Sequence, residues 1–206
     1  MQPLPTTTLR TNLGTWAVPT DRLPGVAGVL LDALPAEVYD PLFQGQALET
    51  TYFDTTGFDL RKARAGRDRY LTLRVRCYGT ASYALSAKTE SEKWRAEIEP
   101  ARAELLLAGA ASPADDLPGR LRARLLELGA EDLGPVVTVC CRRYAVEDDT
   151  DRLTLDVGVH TDAGKCLPFA VLEFKSTDTD GGPPGRLPAL RLRPIKLSKF
   201  LWSTRP

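Results

Sequence analysis

Leu71-Thr72-Leu73-Arg74-Val75-Arg76 reads apolar, polar, apolar, cationic, apolar, cationic, and that period of two decides the fold. Successive side chains of an extended strand point to opposite faces, so Leu71, Leu73 and Val75 share one face while Thr72, Arg74 and Arg76 share the other. A helix would scatter both sets. The arrangement returns downstream: over 152–157, Leu153, Leu155 and Val157 oppose Arg152, Thr154 and Asp156, and over 171–175, Leu172 and Phe174 oppose Glu173 and Lys175. Residues 50–53, 84–88 and the valine-rich 136–143, which ends in Arg142 and Arg143, are further strand candidates.

Leu, Ala, Arg and Glu recur at helical spacing over 97–107 and 117–128, with a turn-forming segment at 109–118 between them. Asp21 can cap a helix running to about Leu34, where Pro35 ends it. Residues 176–188, STDTDGGPPGRLP, read as a loop. Many strands, helices towards both ends and one helical pair in the middle give an α+β chain with a largely antiparallel sheet, expected as a single domain over 1–206.

Lys plus Arg total 27 and Asp plus Glu total 27, so the formal net charge is zero and no global attraction to polyanions is present. Within that neutral total Arg outnumbers Lys by 20 to 7. The planar guanidinium fork suits phosphate and carboxylate, although a GC-rich genome produces the same bias. No apolar run approaches the roughly 20 residues that span a bilayer. The first residues lack the basic and apolar regions of a secretory signal, so a cytoplasmic location is expected. Cys77, Cys140, Cys141 and Cys166 show no C-x-x-C spacing, and His160 is the only histidine. A Cys/His zinc site therefore has little material, and free thiols are expected.

Arg74, Arg76, Lys88, Arg143, Arg152 and Lys175 all fall on the polar sides of strands, with few acids beside them. On an open sheet each is simply a solvated cation. On a sheet curled into a barrel they converge, and such a lumen needs a polyanion, counter-ions and water to offset repulsion and desolvation. A cation-lined tunnel holding a chain of phosphates is the functional form of that pattern. Nucleic acid fits poorly, because the cations face inwards and no aromatic residues are interleaved with them on one face.

Six segments in order carry a family resemblance: Tyr52-Phe53-Asp54-Thr55, LTLRVRCYG at 71–79, AKTESEKW at 87–94, RRYAVEDDTDRLTLD at 142–156, AVLEFK at 170–175 and KLSKF at 196–200. Over roughly 48–202 the chain resembles the VTC domain, the polyphosphate polymerase of the vacuolar transporter chaperone complex, within the triphosphate tunnel metalloenzymes. The resemblance implies an eight-stranded antiparallel tunnel barrel with flanking helices. Its lining cations would grip a triphosphate or polyphosphate, and a carboxylate would hold Mn²⁺ or Mg²⁺. By the same resemblance Arg74 and Arg76 are the paired arginines of the R-x-R strand, and Lys88 is the lysine after the next strand. Arg143 and Arg152 flank the turn before the R-x-T-x-D strand, and Glu173 in E-x-K is the metal ligand. Lys196, Ser198 and Lys199 form the K-x-S-K segment, and Arg102, or less readily Lys93, stands for one more lysine. Relatives open with an E-x-K strand, whereas the matching Leu13–Val18 here has neither Glu nor Lys.

The expected reaction is transfer of the terminal phosphoryl group of ATP to polyphosphate. Arg74, Arg76, Lys88, Arg143, Arg152 and Lys199 would act on the phosphates, with Lys175 and Ser198 assisting. Phosphoryl transfer asks for positioning and charge neutralisation more than covalent help from the protein. The alternatives are a tunnel that binds polyphosphate or nucleotide without turnover, and a triphosphate hydrolase, which the missing first-strand acids disfavour.

Overall fold

The computed structural model describes residues 11–26, 28, 45–66, 69–79, 82–180 and 190–205. One antiparallel sheet dominates it. Its strands are β1 (Thr11–Val18), β2 (Gln46–Asp54), β3 (Thr72–Tyr78), β4 (Ser82–Lys88), β5 (Lys93–Ile98), β6 (Gly134–Glu147), β7 (Asp151–Thr161), β8 (Ala170–Ser176) and the two-residue β9 (Arg193–Pro194). They lie in the order β5-β4-β3-β2-β6-β7-β8-β1-β9. Eight strands match the number that the resemblance implies, and β9 adds a short edge beside β1.

The alternation read at Leu71–Arg76 runs across the whole sheet. Arg74 pairs with Tyr52 on β2 and with Ser86 on β4, and Ser86 pairs with Arg95 on β5. Arg143 pairs with Asp156, Arg152 with Lys175, Thr154 with Glu173, and Glu173 with Thr15. Paired residues share a face, so these polar groups all lie on one side. The helices are α1 (Asp59–Gly66), α2 (Pro100–Leu107), α3 (Gly119–Glu127) and α4 (Lys199–Ser203), and the opposite, apolar face of the sheet carries α2 and α3. Leu73, Val75, Leu85 and Ile98 pack with Ala103 and Leu106 of α2 and Leu121 and Leu125 of α3. A second cluster joins Leu153, Leu155, Leu172 and Phe174 to Val18 and Val26.

Helix α4 belongs to the polar side. Phe200 stacks on Tyr52 at 5.1 Å between centroids and packs with Val137, Val139 and Val171, the apolar residues at that end of the inner face. The C-terminal helix therefore fills one end of the concave side.

Several boundaries differ from the sequence reading. Glu97 and Ile98, expected to begin a helix, are the last residues of β5. Glu99 is extended and Pro100 occupies the first helical turn, where its missing N–H costs nothing, so the helix starts there. Likewise α3 starts only after Pro118. β6 and β7 run well past 136–143 and 152–157 as one long hairpin, closed by Asp148 accepting from the amides of Thr150 and Asp151. Residues 23–26 and 28 of the helix expected to run to Leu34 are helical, and the rest of it, like most of the loop expected at 176–188, lies outside the described residues. Among the described residues no helix is long and apolar enough to cross a membrane, and all four cysteines are free thiols.

Candidate functional site

The polar face curves round on itself, with no backbone pairing between the end strands β5 and β9 among the described residues. Lys93 on β5 feels the charges of Lys175 on β8 and Arg152 on β7, and Lys88 on β4 feels Glu173 on β8. These strands stand in opposite halves of the sheet order, so the sheet curls until its halves face each other across a lumen. Lys88 and Lys93 remain open to solvent, yet burial is the largest influence on both and lowers their pKa values. Wet side chains walled in by protein are what a water-filled tunnel produces.

The electrostatics of this lumen have one sign. Burial and the neighbouring Arg74, Lys175, Arg76 and Arg152 push Lys93 down to about 7. Burial, Arg74 and Arg143 push Arg76 down to about 10. Lys175 is lowered by burial although Glu173 sits 2.8 Å away and favours its charge. Burial alone would raise Glu173, but Lys175, Arg143 and Lys199 hold its carboxyl below the usual range. Burial likewise acts to raise the Tyr78 phenol, and Arg76 and Arg95 overcome it. A positive potential moves acids and bases the same way, favouring the anion and disfavouring the cation. The lumen is therefore poised for an anion.

Two parts of it are tied down. Arg143 donates to both oxygens of Asp156 at 2.6 and 2.7 Å, and Lys199 of α4 closes on Oδ2 of the same carboxylate. Asp156 is almost fully buried, and these two cations outweigh its burial and hold it well below the usual carboxylate range. Nearer the other end, Glu173 Oε2 pairs with Lys175 while Oε1 accepts from Asn12 Nδ2 at 2.8 Å. Arg152 lies 3.3 Å from Glu147. The expectation that acids are scarce beside the tunnel cations is thus corrected: Asp156, Glu173 and Glu147 each sit against one. Partial neutralisation is what lets so many cations crowd one lumen without ligand.

Asn12 lies on β1 just before the Leu13–Val18 stretch that has neither Glu nor Lys. A register shift between Asn12 and Gly14 lets the Asn12 amide reach Glu173. A Cβ on Gly14 would sit 2.2 Å from the Trp16 ring, so only glycine allows that ring to fold back there. The first strand therefore supplies a neutral donor to Glu173.

Among the expected site residues, Arg74, Arg76, Lys88, Arg143, Arg152, Glu173 and Lys175 share the inner face, and Lys199 reaches it from α4. Three others are placed elsewhere. Arg102, on α2, donates to Asp116 and to the Ser112 carbonyl at 2.9 and 3.0 Å, a bond set that pins the 112–116 turn to the helix outside the tunnel. Lys93, ranked second to it, stands in the lumen instead. Ser198 caps α4, its hydroxyl oxygen accepting from Leu201 N. Lys196 is exposed and makes no hydrogen bond or ion pair among the described residues.

Arg95 and Asp54 were missed as well. Arg95 lies on the inner face with its guanidinium 4.9 Å from the Tyr78 ring centroid, and the alternation Lys93, Arg95 was the signal available for it. Asp54, within Tyr52-Phe53-Asp54-Thr55, is buried and accepts from the amides of Thr55, Leu60 and Arg61 at 2.8 to 2.9 Å. It anchors the start of α1, a helix the sequence reading did not place, and so serves the scaffold.

The donor set also limits how metal can be held. Among the described residues no group of three or more His, Cys, Asp or Glu side chains can hold an ion. Glu173 fits one corner of a Mg²⁺ or Mn²⁺ that takes its remaining ligands from phosphate and water, as Mg²⁺ commonly does. To serve, it must exchange Lys175 for the ion.

No protein-family model matches the chain, and no curated protein matches it. Solved structures do. A candidate adenylate cyclase from Bacillus halodurans has a TM-score of 0.57 at 18% identity, over 81% of this chain and 80% of that one. A candidate adenylate cyclase from Vibrio parahaemolyticus has a TM-score of 0.54 at 12% identity, over 95% and 97%. An inorganic triphosphatase is 18% identical over 83% and 82%, with a TM-score of 0.37. The two cyclase structures bear out the fold, an antiparallel tunnel-like sheet with flanking helices.

Proposed function

We propose that this chain holds a linear phosphoanhydride, the triphosphate of ATP or a polyphosphate, in its tunnel, and transfers the terminal phosphoryl group of ATP to polyphosphate. The observation that carries the reading is Lys93, surrounded by Arg74, Arg76, Arg152 and Lys175 from three other strands. Such crowding is costly in an empty protein and is offset by a ligand with closely spaced negative charges.

In this reading Arg74, Arg76, Lys88, Lys93 and Arg152 contact phosphate oxygens. Arg143 and Lys199, fixed by Asp156, present a preset pair at the far end, so the phosphates meet a charge field that needs little rearrangement. The acceptor phosphate is its own nucleophile. A divalent ion bound with the phosphates would neutralise charge at the transferred group, with Glu173 as its protein ligand. The resemblance to VTC domains supports the choice of polyphosphate as acceptor.

A second reading, tight binding without turnover, is favoured by the pairing of Glu173 with Lys175 and Asn12 and by the absence of charge on β1. Purified protein incubated with ATP and Mn²⁺, its products resolved for long-chain polyphosphate, separates the two. Polyphosphate with release of ADP supports transfer. Saturable polyphosphate binding with ATP left intact under Mn²⁺ and Mg²⁺ supports the binding module. Phosphate released from tripolyphosphate without chain growth contradicts both.

A further inference from the structure

Arg95 has an unusual environment. Among the described residues its Nε is the single buried side-chain nitrogen or oxygen without a hydrogen-bond partner, and the guanidinium makes no ion pair there. A buried N–H facing no acceptor is a cost that folded proteins rarely leave standing. What lies against Arg95 is the Tyr78 ring, which has two guanidinium groups over it, Arg95 at 4.9 Å and Arg76 at 5.8 Å. Arg76 is steadied in turn by Thr50, whose hydroxyl accepts from its Nε at 3.1 Å.

The row that carries Arg95 runs through Ser86 and Arg74 to Tyr52. At Tyr52 the row meets the buried Phe200 ring, an apolar boundary that leaves Arg74 and Arg95 as the cations of the row. Chain ends differ from chain interiors in charge: a terminal phosphate carries about two negative charges at neutral pH and a bridging one about one. Arg143 and Lys199 are neutralised in part by Asp156, and Lys175 by Glu173, whereas Arg95 has no carboxylate against it among the described residues.

We propose that Arg95 and Arg76, both held at Tyr78, form a subsite for the terminal phosphate of a linear phosphoanhydride, so that the tunnel selects chains with a free end. This rests on the phosphoanhydride reading of the tunnel. Binding turns the Arg95 fork from the phenol face towards phosphate oxygens, which supply the acceptor its Nε lacks. Ring-closed phosphates, having no terminus, leave the subsite unfilled.

Calorimetric titration with linear tripolyphosphate and with cyclic trimetaphosphate, on wild type and R95K, tests this. Lysine keeps the charge but not the fork. Wild type is expected to bind the linear chain much more tightly than the ring. R95K should weaken linear binding by about tenfold or more, the size of one lost charge-assisted contact, while changing ring binding by less than about twofold. R95Q, measured alongside, should weaken linear binding further. Unchanged linear affinity in R95K, or equal losses for both anions, overturns the subsite while leaving the tunnel reading intact. A wild type that binds neither anion overturns the tunnel reading itself.

Discussion

Arg143 and Asp156 face each other across β6 and β7 through two parallel bonds of 2.6 and 2.7 Å, and this buried pair is where the C-terminal helix is latched to the tunnel. Lys199 adds its ammonium to the same carboxylate, and the next residue, Phe200, seats α4 on Tyr52. Removing the acid strands two cations in a protein interior. D156N is expected to destabilise the fold by about 3 to 5 kcal/mol, the usual result of breaking one side of a buried ion pair, measured by urea unfolding. The pH sign follows from the lowered pKa of Asp156. Its contribution is fully present above the unfolded value of about 3.9 and is lost only as pH falls towards the folded value, so it persists through mild acid.

Burial and the neighbouring cations push Lys93 down to about 7 in the empty tunnel, against about 10.4 unfolded. Below 7 both folded and unfolded states carry the proton and the full repulsion is felt. As pH rises from 7 towards 10.4 the folded state sheds the proton first, so this residue's destabilising influence fades. A bound polyanion raises the Lys93 pKa again. Tripolyphosphate binding at pH 8 is therefore expected to take up a proton, and at pH 6 not to, read from the dependence of calorimetric heat on buffer ionisation enthalpy. K93M should raise the melting temperature of the empty protein below pH 7 and abolish that proton uptake.

Glu173 separates metal binding from simple ion pairing. E173Q keeps the size of the side chain but removes the charge held against Lys175. Metal-free tripolyphosphate binding should persist or tighten, while Mn²⁺-dependent ATP turnover collapses. If Glu173 served only as the partner of Lys175, the variant would lose stability and keep metal-stimulated turnover.

Arg74 and Arg76 stand on the strand that gives the fold away. R74A or R76A should weaken tripolyphosphate binding by about 1.5 to 3 kcal/mol, as for a hydrogen bond to a charged group. Each change also removes a cation from a crowded lumen, so the ligand-free melting temperature should stay level or rise. A clear drop in that temperature would mean the arginines hold the fold together.

Much of this architecture is legible in the sequence because it rests on period-two alternation. Leu73 and Val75 against Arg74 and Arg76, or Leu172 and Phe174 against Glu173 and Lys175, fix which side chains share a face once the strands pair. What alternation leaves open is how far the sheet curls, since curvature comes from twist and from packing on the helices. Hence the partners were missed: Asp156 was read as one more polar residue, and its grip on Arg143 needs β6 and β7 in register. Arg102 was misplaced for a different reason. It lies in the helix that the spacing over 97–107 already indicates, and only the family resemblance, not the pattern of residues, put it in the tunnel. Asn12 was invisible because a bulge moved it into reach of Glu173.

The claim that the curled face is a receptor for phosphate chains is tested most directly by titrating the purified protein with linear polyphosphate at about 0.15 M salt and pH 7, where distant surface charges are screened beyond roughly 8 Å. The expected result is saturable binding, lost in the R74A/R76A double variant while its melting temperature is maintained. Absence of saturable binding by the wild type, or equal affinity in the double variant, would contradict the account.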